Sequence, residues 1–187
     1  MKRLAVFFPG MGYTHDKPLL YYSRKLVAEQ GYECVLVSYS NLPDKIQGDK
    51  EKMLLAAEMA YEQSCAALKT VAFDTYDEII FVGKSIGTVI ATKYAAEHDI
   101  AARLVLYTPV EATFAAKIKD AVSFIGEADP WSDFDTVKVL AKQQNVPLHT
   151  YPNCNHSLEC GEVLGMHGNL AVLSEVMNLT SDFISKP

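Results

Sequence analysis

At 187 residues and 49% hydrophobic content, the chain can bury one sizeable core and asks for no second, so residues 1–187 read as a single domain. A net charge of -6 and a pI near 5.3, without a lysine or arginine cluster, argue against nucleic acid as a partner. The apolar run Leu4 to Phe8 is cut short by Pro9 and Gly10, and no other stretch approaches membrane-spanning length, so neither a leader nor a membrane partner is expected. Four scattered cysteines show no disulfide framework, and reduced thiols in a cytoplasm are the expectation.

In chain order, short apolar runs alternate with helix-compatible stretches. Leu4 to Phe8 reads as a buried strand closed by Pro9-Gly10-Met11-Gly12-Tyr13, and Lys17 to Gln30 as a helix ended by Gly31. Tyr32 to Tyr39 is rich in strand formers. A polar loop with Pro43 leads to a long helix over Asp49 to Lys69, whose residues Leu54, Ala57, Tyr61, Cys65 and Leu68 recur at helical spacing and predict its buried face. Ile79 to Val82 is a strand and Ile86 to His98 a helix. Arg103 to Tyr107, Ala121 to Ile125 and Pro147 to Tyr151 complete six strands. Glu111 to Lys117 reads as a short helical connection, Asp133 to Asn145 as a helix, and Asn169 to Ile184 as a closing helix with Leu170, Leu173, Met177 and Ile184 inward. Regular alternation of this kind predicts right-handed crossovers and a mainly parallel sheet of about six strands between two helical layers.

The chemistry centres on Gly83-Lys84-Ser85-Ile86-Gly87, a G-x-S-x-G placed between a strand and a helix. A turn that sharp strains its central residue and lifts the hydroxyl clear of the backbone, while glycines on either side let strand and helix approach. Ser85 is therefore the candidate nucleophile. A phosphate-binding loop ending in Gly83-Lys84-Ser85 would need glycine at position 78, where Glu78 stands. A dinucleotide fingerprint begun by Gly10 and Gly12 would need its third glycine at His15.

In a parallel α/β sheet, reacting groups collect at the carboxyl ends of strands, so a carboxylate and a histidine are sought just past later strands. Asp129 follows the Ala121–Ile125 run and His156 follows the Pro147–Tyr151 run. His156 would take the Ser85 proton, and Asp129 would orient the ring and stabilise its charged form. Asp133 and Asp135 compete for the acid; Asp129 is preferred because it leaves the strand directly and precedes Pro130, with Asp133 assigned to helix capping. Of the other histidines, His98 and His149 fall within a helix end and a strand, His15 precedes the serine, and His167 lies too far beyond the last strand.

Elbow, acid and histidine in this order make the chain resemble, over essentially its whole length, a small member of the α/β-hydrolase superfamily. The resemblance implies a minimal three-layer α/β/α sandwich without a large cap, since only Pro109 to Asp120 stands where a cap is often inserted. It points to the backbone amides of Ile86 and Met11, or a neighbour of Met11, as the oxyanion hole, with Pro9-Gly10 in place of the family's frequent His-Gly. It further implies a carboxylic ester hydrolase acting on small or exposed acyl substrates, with a thioesterase, a small peptidase or a non-catalytic binding protein as alternatives. A shallow site walled by Tyr13, Val110, Phe114, Trp131 and Leu158 is expected, with no cofactor. No metal is expected either, because Cys154, His156, Cys160 and His167 match no common zinc spacing. A disulfide between Cys154 and Cys160 is expected only outside a reducing compartment, and Cys34 and Cys65 are read as core.

Overall fold

A computed structural model describes residues 1–186. The apolar runs form β1 (Arg3–Phe8), β2 (Glu33–Leu36), β3 (Glu78–Lys84), β4 (Arg103–Tyr107), β5 (Ala121–Gly126) and β6 (Leu148–Tyr151). They pair in the order β2-β1-β3-β4-β5-β6, and every pairing is parallel. Parallel neighbours cannot be joined by a tight turn, so the connections cross the sheet. These crossovers carry α1 (Pro18–Glu29), α2 (Lys50–Leu68), α3 (Ile86–Glu97) and α4 (Phe134–Gln143), and α5 (Gly161–Ile184) follows β6. The β4–β5 connection holds only a 3-10 turn, Glu111–Ala115.

Alternation along the strands divides the apolar side chains between two cores. Leu4, Val6, Phe8 and Phe81 pack with residues of α2, α3 and α4, whereas Ala5, Phe7, Ile80 and Val82 pack with residues of α1 and α5. Burial on both faces is why β1 and β3 read as continuous apolar runs rather than alternating ones.

Three expectations are corrected. The buried face of α2 is Ala56, Ala60, Ser64 and Leu68, while Leu54 is 62% exposed. Small side chains let α2 lie close against its neighbours; Tyr61 and Cys65 pack only at the core's edge. Strand β2 is shorter than predicted and forms the sheet edge, which leaves Cys34 exposed rather than in the core. The closing helix starts earlier, at Gly161, across a kink at Gly165 where φ is 60°. Its buried residues are Val176, Thr180, Phe183 and the expected Ile184; Leu173 and Met177 pack at the core's edge as expected, and Leu170 is exposed. Among the described residues, no helix is long and apolar enough to cross a membrane.

The α2 correction is testable by urea unfolding. Ala60→Leu should overpack the interface and cost about 1–3 kcal/mol, whereas Leu54→Ser should change stability by no more than about 0.5 kcal/mol.

Candidate active site

The strand order places β2 on one side of β1 and β3 on the other, so the crossovers leaving β1 and β3 diverge. Divergence opens a crevice at the carboxyl ends of these two strands, the position where open α/β sheets bind ligands. The Pro9–Tyr13 loop leaves β1 at this crevice, and Ser85 joins β3 to α3 there.

Ser85 has φ 56° and ψ -123°, a conformation that non-glycine residues rarely adopt and that costs on the order of 1–3 kcal/mol. The close approach anticipated from the glycines is real: a Cβ on Gly87 would stand 2.0 Å from the Phe8 carbonyl oxygen. The turn is held by the Ser85 amide, which donates to the Tyr107 carbonyl at 2.9 Å.

His156 Nε2 lies 2.7 Å from Ser85 Oγ, and its Nδ1 lies 2.6 Å from Asp129 Oδ2. A carboxylate accepts only, so Nδ1 carries the hydrogen and Nε2 is left to accept from the serine hydroxyl. The Asp129 carboxyl has no solvent exposure, and its second oxygen accepts from the Trp131 amide at 2.9 Å. The Trp131 ring centre lies 5.7 Å from that of His156. Burial lowers the His156 pKa below its usual 6.5; the hydrogen bond the ring donates to Asp129 opposes this, and the Lys84 charge adds to the lowering. Burial and the Lys84 charge thus favour the neutral ring.

The loops bearing acid and histidine are interlocked. The Ala128 amide donates to the Cys154 carbonyl at 3.0 Å, and a Cβ on Gly126 would lie 2.1 Å from that same oxygen. Within the histidine loop, Asn155 Oδ1 accepts from the amides of Ser157 and Glu159. The expectation of four reduced thiols is corrected here. This turn returns the chain so that Cys154 and Cys160, with Cα atoms 3.9 Å apart, are disulfide-bonded, leaving Cys34 and Cys65 free.

Four of the competing side chains are engaged elsewhere. Asp133 caps α4, its carboxylate accepting from the Thr136 amide at 2.7 Å, and that bond lowers its pKa. His98 stacks on Tyr94, His149 stacks on Phe124, and His15 Nε2 meets the Val37 carbonyl at 2.6 Å.

The amides of Met11 and Ile86 have no acceptor among the described residues, and both residues line a cleft of about 600 Å³ that contains Ser85 and His156. Tyr13, Val110 and Trp131 line it. Phe114 and Leu158 do not: they are 6% and 3% exposed and belong to the two cores. The cleft is also less shallow than expected, because Ile46, Met53, Leu54 and Ala57, from α2 and the segment before it, build a wall. Nothing in the local pattern of α2 signals this, since the wall exists only once the helix is packed. Lys84 was also missed as a site residue, although a lysine following the apolar run Ile79–Val82 of a central strand is an anomaly visible in sequence.

No protein-family model matches the chain, and no curated protein matches it in sequence. Solved structures do. An alpha-beta serine hydrolase homologue from Coxiella burnetii superposes with a TM-score of 0.69 at 19% identity, over 98% of this chain and 85% of the other. Est1E from Butyrivibrio proteoclasticus, solved with ferulic acid bound, gives 0.68 at 15% identity, over 98% and 90%. A serine hydrolase without lid from Xanthomonas campestris gives 0.59 at 13% identity, over 99% and 84%. At such identities the likeness is one of fold, and the chain has the α/β-hydrolase fold in a small, lidless form.

Asp133→Ala should remove only the helix cap, lowering stability by about 1 kcal/mol in thermal or urea unfolding. The reactivity of Ser85 toward a fluorophosphonate should be unchanged.

Proposed function

We propose that this protein is a serine hydrolase that cleaves carboxylic esters through an acyl-enzyme on Ser85. The observation that carries the reading is the unbroken hydrogen-bonded chain from Ser85 Oγ through His156 to the buried Asp129, at 2.7 and 2.6 Å. In this reading His156 Nε2 takes the serine proton as Oγ attacks the ester carbonyl carbon, then donates it to the departing alkoxide as the carbon–oxygen bond breaks. Water attacks the acyl-enzyme by the same route in reverse, releasing the acid and restoring Ser85. Asp129 holds the Nδ1–H tautomer and stabilises the imidazolium.

The free amides of Met11 and Ile86 would receive the oxyanion, and each such donor is worth about 3–4 kcal/mol in the transition state. The acyl group would occupy the cleft beside Met53, Leu54, Ala57 and Val89, whose apolar side chains suit an apolar acyl chain or ring. The structurally similar Est1E holds ferulic acid, an aromatic carboxylic acid, which agrees in chemical class.

Treatment with a fluorophosphonate, followed by intact mass and peptide mapping, should show a single adduct on Ser85. An unlabelled, folded protein would overturn the reading. The labelling rate should rise with pH through one ionisation below 6.5, since the lowered His156 pKa keeps the base neutral into weakly acid solution. Asp129→Asn should slow turnover by roughly three to four orders of magnitude while the far-UV circular dichroism is retained. Ala57→Trp should shift the preferred p-nitrophenyl ester toward shorter acyl groups, and an unchanged chain-length profile would remove α2 from the acyl site.

A further inference from the structure

Lys84 separates the elbow's first glycine from the candidate nucleophile, and it is only 2% exposed. Lysine is almost never buried this deeply unless a carboxylate pairs with it. Among the described residues its ammonium forms no ion pair and no hydrogen bond, and it lies 4.9 Å from the centre of the Tyr13 ring. The stem passes against the loop above, because a Cβ on Gly10 would stand 3.2 Å from Lys84 Cδ. Gly10 and Tyr13 are tied to each other by paired backbone bonds of 3.2 and 3.3 Å, and Tyr13 Oη accepts from the Leu19 amide at 3.1 Å. The loop braced in this way contains Met11, one of the two free amides beside Ser85.

The same cation acts on the acid–base pair. Burial pushes the Lys84 pKa down to about 7, and attraction to Asp129 works against that fall. Repulsion from Lys84 in turn disfavours a proton on His156. His156 is faced by Asp129 from the loop after β5, by Lys84 from β3 and by the uncharged Trp131 ring; Lys84 is faced by Tyr13, Asp129 and His156. The charged groups lining the cleft beyond these are Lys50 and Glu58 of α2 and Lys93 of α3.

We propose that Lys84 is a positioning residue for the hydrolysis put forward above: an unpaired internal cation that braces the Pro9–Tyr13 loop through Gly10 and Tyr13 and keeps His156 free to accept the Ser85 proton. The idea rests on that reading of the site, but part of it can be measured without turnover. A lysine buried merely as filler would be replaceable by methionine with no effect on His156.

The decisive experiment is NMR titration of His156 in the full chain and in Lys84→Met, which keeps length and apolar contact and removes the charge. The His156 pKa should rise by about 0.5–1 unit in the variant; an unchanged value in a folded variant would overturn the proposal. Following the Lys84 Cε resonance in the wild type requires no variant. Titration near neutrality supports an unpaired internal cation, and titration in the ordinary lysine range refutes it. The acid limb of fluorophosphonate labelling should move upward in Lys84→Met by the same amount as the His156 pKa. Its plateau should fall on the order of tenfold as the loop loses the ammonium's hold on the Tyr13 ring; an unmoved acid limb refutes the proposal. A wild type that takes no label would count against the hydrolase reading, and the His156 titration would still decide whether Lys84 acts on the histidine.

Discussion

The structure turns on one close contact, the approach of the α3 N-terminus to β1 at Gly87 and Phe8. With 2.0 Å between a would-be Cβ and a carbonyl oxygen, no side chain fits at Gly87, and the helix can start only where it does. That start forces Ser85 into its left-handed conformation and directs the Ile86 amide into the crevice between β1 and β3. The strain at one residue is offset by the two cores packed on either face of the sheet. The loops after β5 and β6 then need only be long enough to bring a carboxylate and an imidazole to a hydroxyl that is already fixed.

This dependence explains what was legible in the sequence. The strands β1, β3, β4 and β5 are buried on both faces, so their composition alone marks them, and their ends fall within two residues of the expected ones. The elbow was legible because its geometry admits few residue types. Asp129 and His156 were legible because parallel topology restricts reacting groups to strand ends. What escaped depends on packing between elements distant in sequence. Helical spacing cannot tell whether α2 rests on Leu54 or on Ala56 and Ala60, since the closer approach allowed by alanine is a property of both surfaces. Phe114 and Leu158 look like cleft walls from their place in the chain, yet each points into a core.

Electrostatics at the site follow from the same compactness. Sequence places Lys84 and Asp129 more than forty positions apart, and only the fold brings the ammonium, the carboxylate and the imidazole under mutual influence in a largely buried region. There, desolvation works against the attraction of both groups to Asp129. Burial dominates both shifts, lowering the pKa of Lys84 and of His156 together.

The wall formed by Ile46, Met53, Leu54 and Ala57 belongs to a single continuous segment of chain, whereas Ser85, Asp129, His156 and the Pro9–Tyr13 loop come from four others. None of those four wall side chains takes part in the hydrogen bonds that hold the serine, histidine and aspartate. In the hydrolysis proposed here, the part that would grip and the part that would react are thus separate inheritances. A lineage could exchange side chains within residues 46–57 and change what the cleft admits, while Ser85, Asp129 and His156 stayed as they are.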